Sequence, residues 1–131
     1  MEPAFGEEYE MTLDVSTHYG EIEVSNEVIA TIAGVAAMDC YGLVGMASRS
    51  QLKDGIAELL GRENLSKGVE VREEQGEMEI DMHIIVGYGT KISEVAHNVQ
   101  SKVKYTLDQM VGLKVSRVNV FVQGVRLVSE E

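Results

Sequence analysis

The sequence predicts an α+β fold, a two-layer sandwich in which helices pack on one face of a mixed sheet. Three observations lead there. First, Met78, Ile80, Met82, Ile84 and Val86 alternate with Glu79, Asp81, His83 and Ile85, the period of a half-buried strand. Second, the period changes from Ile92: Ile92, Val95, Ala96, Val99, Val103, Leu107 and Met110 recur at three and four residues, one stripe of an amphipathic helix. Third, Val118, Val120 and Val122 alternate with Arg117, Asn119, Phe121 and Gln123. This strand–helix–strand run, a β-α-β unit over 78–125, is expected to hold the main core. The strands are charged on their other side (Glu70, Arg72, Glu79, Asp81, His83, Arg117, Asn119). Helices should therefore cover one face only, leaving the second to water or a partner.

In chain order, residues 1–16 open with Glu2, Glu7, Glu8 and Glu10 and read as an acidic, mobile N-terminal segment. Residues 17–129 form the single domain. Met11, Leu13 and Val15 alternate with polar residues, and Ile22 and Val24 do so again after a turn at Tyr19-Gly20, so both stretches read as extended. Ser25 is placed as an N-cap with Glu27 in the first turn, and Val24 and Ile29 as a hydrophobic staple. A first helix over 26–39 then buries Val28, Ile29, Ile32, Ala33, Ala36 and Ala37. Gly34 inside it costs about 1 kcal/mol against Ala, which argues a packing reason. Tyr41-Gly42 ends the helix, and Leu43 to Ala47 reads as a short strand. Leu52, Ile56, Leu59 and Leu60 predict a second helix over 51–60, followed by a polar connection, 61–68, anchored by Leu65. Val69 and Val71 begin a strand that turns at Glu74-Gln75-Gly76 into Met78. Thr90 is the expected N-cap of the long helix and Gly112 its C′ glycine.

Composition limits what the chain can do. With 131 residues, 44% apolar, it is one globular domain with an aliphatic core. A net charge of −11 argues against a phosphate-neutralising surface, so no nucleic acid is expected, and direct attraction to anionic lipid is disfavoured. Cys40 is the single cysteine, which excludes an internal disulfide and suits a reducing cytoplasm. No apolar run reaches the roughly 18 residues of a membrane span, so membrane association is expected only through a partner.

No constellation assembles an active site. Gly87-Tyr88-Gly89-Thr90 before a helix could present amides to an anion or phosphate, but it lacks the spacing of a nucleotide loop, and a tight strand-to-helix turn explains it better. His18, His83 and His97 sit far apart in three kinds of element, without metal-ligand spacing, so no metal or cofactor is expected. Asp39 sits beside Cys40 where a catalytic thiol would need a base. Glu79 and Asp81 share a face with Arg72 and Arg117 and fit cross-strand ion pairs better than general acid–base work. On the same face, Ile85 and Phe121 are large and apolar. The face formed by Glu79, Asp81, His83, Ile85, Arg117, Asn119 and Phe121 is therefore the expected interaction surface. His97, Lys102 and Lys104 add a small basic patch on the long helix.

Four stretches together resemble the alkaline shock, or general stress, protein family of Gram-positive bacteria. They are Gly20 to Ser25 leading into Val28–Ala36, Tyr41–Met46, Ile84–Ile92 with Glu94-Val95-Ala96 and Val99-Gln100, and Val118–Val120 with Val122–Val125. The resemblance covers roughly 19–128. Residues 39–49 and 88–105 are most similar to a short housekeeping branch often encoded beside a dihydroxyacetone-kinase-like, fatty-acid-kinase protein. The resemblance implies a small cytoplasmic, non-enzymatic protein that associates with itself or with other proteins. Those partners include a membrane-anchoring protein or the fatty-acid-kinase-like protein, in envelope stress and lipid homeostasis. It transfers no catalytic residue.

Overall fold

A computed structural model describes residues 13–48 and 59–127. The chain runs β1 (Leu13–Thr17), β2 (Gly20–Val24), α1 (Asn26–Met38), β3 (Leu43–Met46), a 3-10 helix (Arg62–Gly68), β4 (Val69–Glu74), β5 (Glu77–Gly87), α2 (Ile92–Met110) and β6 (Arg117–Arg126). The architecture is the α+β sandwich that the sequence predicts, with a mixed sheet built around β5. Along one edge of β5, β6 runs parallel from Glu79↔Arg117 to Gly87↔Arg126. The other edge is shared end to end: β4 pairs antiparallel with its first half and β3 with Ile84 to Val86. α2 connects the two parallel strands. β1 and β2 form a separate antiparallel hairpin, with Leu13 opposite Val24.

The β4–β5 turn shows how local sequence fixes register. Gln75 and Gly76 have φ of 53° and 81°, positive at both central positions, as a type I′ turn requires. Glu74 then faces Glu77, and Arg72 faces Glu79. The even positions of β5 point at the helices: Met78, Ile80, Met82, Ile84 and Val86 join Ile29, Ala33, Val99, Val103 and Leu107 in one core.

The helices depart from expectation at their ends and at one rotation. In α1, the Ser25 hydroxyl accepts the Val28 amide at 3.3 Å, as an N-cap should. Val28 itself is 47% exposed, and Ala30 and Gly34 are buried instead. The buried stripe is turned because α1 meets a second neighbour, the 3-10 helix. A Cβ on Gly34 would stand 3.1 Å from the Leu65 Cβ, so the missing side chain permits that approach, and Leu65 is the anchor expected in this connection. In α2, Val95, Val99, Val103 and Leu107 are buried, but Ile92 and Met110, the first and last residues, are 41% and 67% exposed where the chain leaves the sheet. Thr90 does not cap α2. Lys91 holds the N-cap position without a side-chain bond, and the Thr90 hydroxyl donates to the Gly87 carbonyl at 2.8 Å, closing the turn behind the helix. Gly112, with φ of 78°, follows the Val111 C-cap as expected.

Two further expectations change around β3. Leu59 forms an isolated bridge with Ala47, and the Leu60 amide donates to the Met46 carbonyl at 2.9 Å. Both residues are therefore extended rather than the end of a helix, while residues 51–58 of that expected helix lie outside the described residues. Ile85, expected on the open face, is fully buried. It does point away from the main core, but Gly45 stands opposite it across a register shift at Val44, and Val44 and Ala47 cover it in a small second cluster. Residues 1–12 of the expected N-terminal segment also lie outside the described residues.

Candidate functional site

The odd positions of β5 build the outer sheet face together with β4 and β6. The pairing register sets Glu79 between Arg72 and Arg117, Asp81 beside Asn119, and His83 beside Phe121. Arg72 organises the charged half. Its Nε and Nη2 donate to the two oxygens of Asp81 at 2.9 and 3.2 Å, Nη2 also reaches Glu79 Oε1 at 2.8 Å, and Nη1 reaches Glu74 Oε1 at 3.1 Å. Asn119 Nδ2 donates to Asp81 Oδ1 at 2.9 Å. Arg117 is more loosely attached, 3.9 Å from Glu79 Oε2.

These contacts decide the chemistry of the carboxylates. Burial raises the Asp81 carboxyl, but hydrogen bonds from Arg72 and Asn119, with the positive charge of Arg72, outweigh it and hold the group below its ordinary value. The Arg72 guanidinium is raised in turn, chiefly by its bond to Asp81. A carboxylate held ionised, with its proton affinity lowered, is a weak general base at neutral pH. The pair behaves as half of a salt-bridge lattice. Beside it, the rings of His83 and Phe121 stack with centroids 5.2 Å apart, inclined at 22°. Phe121 remains 44% exposed.

The glycine turn has little left to offer an anion. The Gly87 amide donates to the Gly42 carbonyl at 2.9 Å, that of Tyr88 to the Arg126 carbonyl at 2.8 Å, and that of Thr90 back to Gly87. A depression of about 370 Å³ lies beside the turn, and Lys91 and Glu94 both line it. Cys40 packs against the core, and burial pushes its thiol up, away from the thiolate a nucleophile needs. Among the described residues no group of three or more His, Cys, Asp or Glu is placed to hold a metal ion. No helix there is long and apolar enough to cross a membrane.

Of the seven residues expected on this face, Glu79, Asp81, His83, Arg117, Asn119 and Phe121 lie along it, whereas Ile85 is covered by Val44 and Ala47. Arg72 takes the central role because the turn is made by Gln75 and Gly76 alone, which sets Arg72 opposite Glu79; the sequence places Arg72 on this face but reads Glu74-Gln75-Gly76 as the turn. Comparison with known proteins gives the face its setting. Residues 14–127 match the model of the alkaline shock protein 23 family, described as having a cell envelope-related function. The chain belongs to this family. A Bacillus subtilis member, the uncharacterised protein YloU, is 61% identical over 119 residues, spanning 91% of this chain and 99% of its own. The uncharacterised protein Spy1614 of Streptococcus pyogenes is 43% identical over 120 residues, 92% of this chain and 99% of its own. A second Bacillus subtilis relative, the uncharacterised protein YqhY, is 34% identical over 110 residues, covering 84% and 80%. No solved structure matches the chain. The alkaline shock family description carries no enzymatic name.

Proposed function

We propose that this chain is a non-enzymatic protein-interaction module serving the cell envelope, in envelope stress and in lipid or fatty-acid homeostasis. It works in the cytoplasm, associates with itself and with other proteins, and reaches the membrane only through a partner. A membrane-anchoring protein and a fatty-acid-kinase-like protein are the partners in keeping with the family resemblance. The observation that carries this reading is Phe121: a large aromatic side chain, 44% exposed, on a sheet face whose charged groups are already paired. Phe121 is already more than half covered, so completing its burial gains about 1 kcal/mol, and a protein partner supplies such cover. An anion sensor at Gly87, Tyr88, Gly89 and Thr90 is the weaker reading, because those amides are largely engaged and Glu94 repels an anion at the same helix start.

The test is Phe121→Ser, followed by sizing over a range of concentrations and by capture of partners from the native cell. Ile85 is left intact, since changing it would damage the protein's own packing. The variant should melt as the wild type does and lose association. Association that survives the substitution, or a wild-type chain that remains monomeric and captures nothing, would remove the reading.

A further inference from the structure

The chain carries a net charge of −11, yet one groove on it is walled by cations. It lies between α2 and the start of β6, has a volume of about 410 Å³, and is lined by His97, Ser101 and Lys104 from the helix and Arg117 and Asn119 from the strand. Positions 97, 101 and 104 follow at four and three residues and so share one stripe of α2, which extends about 10 Å along the axis. Lys102 is not part of it: its Nζ faces Asp39 at 4.0 Å. The fold thus replaces Lys102 of the basic patch read from the sequence with Arg117, and makes the patch concave. The groups at its base are committed. Gln100 Nε2 donates to the Val118 carbonyl, and the Ser116 hydroxyl donates to the Met78 carbonyl, both at 2.9 Å. On its walls Asn119 is held by Asp81 at 2.9 Å, which leaves Lys104 and the loosely paired Arg117 as the cations that can meet a ligand. Arg117 is 68% exposed at the side chain and only 3.9 Å from Glu79, which Arg72 holds at 2.8 Å. Among the described residues Lys104 has no ion pair.

We infer that this groove docks an extended acidic segment of a partner protein. The inference goes beyond the reading of the outer face, since it uses the edge of the sheet and the flank of α2. Three features select this ligand. The donors are strung along about 10 Å rather than converging on one point, which suits a row of carboxylates better than a single phosphate. Among the described residues that line it only Val118 is apolar, and it is buried, so neither a base nor an acyl chain finds an apolar wall there. An extended chain places same-side carboxylates about 7 Å apart, so two alternate Glu or Asp residues fit along the roughly 10 Å stripe of His97, Ser101 and Lys104. The net charge of −11 disfavours non-specific attachment of such a segment, and charge complementarity favours the groove.

The probe is a hexaglutamate peptide titrated into the full chain at low salt, followed by amide and side-chain NMR shifts at His97, Ser101 and Lys104. Binding should weaken by at least about tenfold in Lys104→Glu/Arg117→Glu, and also on raising salt from about 0.05 to 0.3 M. Lys67→Glu/Lys102→Glu, with the same change in net charge, should bind as the wild type does. Phe121→Ser should bind the peptide normally, so failure of the outer-face reading and failure of this one are distinguishable. Equal weakening by both charge reversals, shifts spread over the whole surface, or inorganic phosphate competing at the peptide's own concentration would each overturn the inference.

Discussion

Arg72 is the residue on which the outer face turns. It bonds three carboxylates, and two of them, Glu79 and Asp81, are mostly buried. Arg72→Gln should therefore cost about 1–3 kcal/mol in denaturant unfolding, because buried acceptors lose a charged partner. Asp81→Asn in the same background should recover part of that cost, and strict additivity of the two changes would show that the pair is not coupled. The pH dependence follows from the same bonds. The folded-state value of Asp81 is depressed, so between it and the unfolded value near 3.9 the unfolded chain holds more protons. The contribution to stability is present above about pH 4 and is lost as pH falls through the folded value. Acid titration of unfolding free energy should show a shallower fall below about pH 4 in Asp81→Asn than in the wild type. Part of this lattice was legible, since strand parity puts Arg72, Glu79, Asp81 and Arg117 on one face, while the partner of each depends on the register that the turn at Gln75-Gly76 sets. The burial of Ile85 was not, because it depends on where β3 joins the edge of β5 and on a register shift at Val44, which the alternation of β5 itself cannot reveal.

At the scale of elements, period identified α2 and packing decided its ends. Val99→Ala and Val103→Ala remove fully buried atoms from the contact with the sheet, and each should cost about 1–3 kcal/mol. Ile92→Ala and Met110→Ala should stay within about 0.5 kcal/mol, since both side chains remain substantially exposed. The four unfolding midpoints check the helix face directly; equal losses at all four would mean the stripe is misassigned. Gly34 is a sharper case. Alanine there gains about 1 kcal/mol of helix propensity, but its Cβ meets the Leu65 Cβ at 3.1 Å and the Leu65 carbonyl oxygen at 3.5 Å. The obstacle is backbone and the root of a side chain, not a flexible tip, so the 3-10 helix must shift as a unit. Gly34→Ala should destabilise the protein despite the propensity gain, and a raised melting temperature would show that the 3-10 helix yields freely. The sequence flagged this glycine as needing a packing reason; its neighbour, thirty residues on, could only come from the fold.

Over the whole molecule, both helices pack their main apolar stripes inward, with Val28 and Val35 of α1 left partly exposed, and this bears on how the protein meets a membrane. Lipid-bound helices hold an apolar face free for the acyl boundary and surround it with Lys and Arg. Here the apolar stripe of α2 is spent on β5 and β6, and that of α1 on the sheet and the 3-10 helix. Of the cations on α2, Lys104 lines a polar groove and Lys102 faces Asp39, and the net charge of −11 opposes approach to anionic headgroups. Freeing either apolar stripe for lipid would mean taking apart the core. The purified chain should therefore remain in the supernatant when mixed with vesicles, neutral or anionic, at physiological salt. In cells, any membrane-bound fraction should vanish when its protein partner is removed and should be sensitive to changes at Phe121 or at the α2–β6 groove. Sedimentation of the pure wild-type chain with neutral vesicles would mean that an apolar surface outside the described core reaches lipid directly. Sedimentation with anionic vesicles alone, abolished in Lys104→Glu/Arg117→Glu, would instead place headgroups in the groove and displace the acidic segment inferred for it.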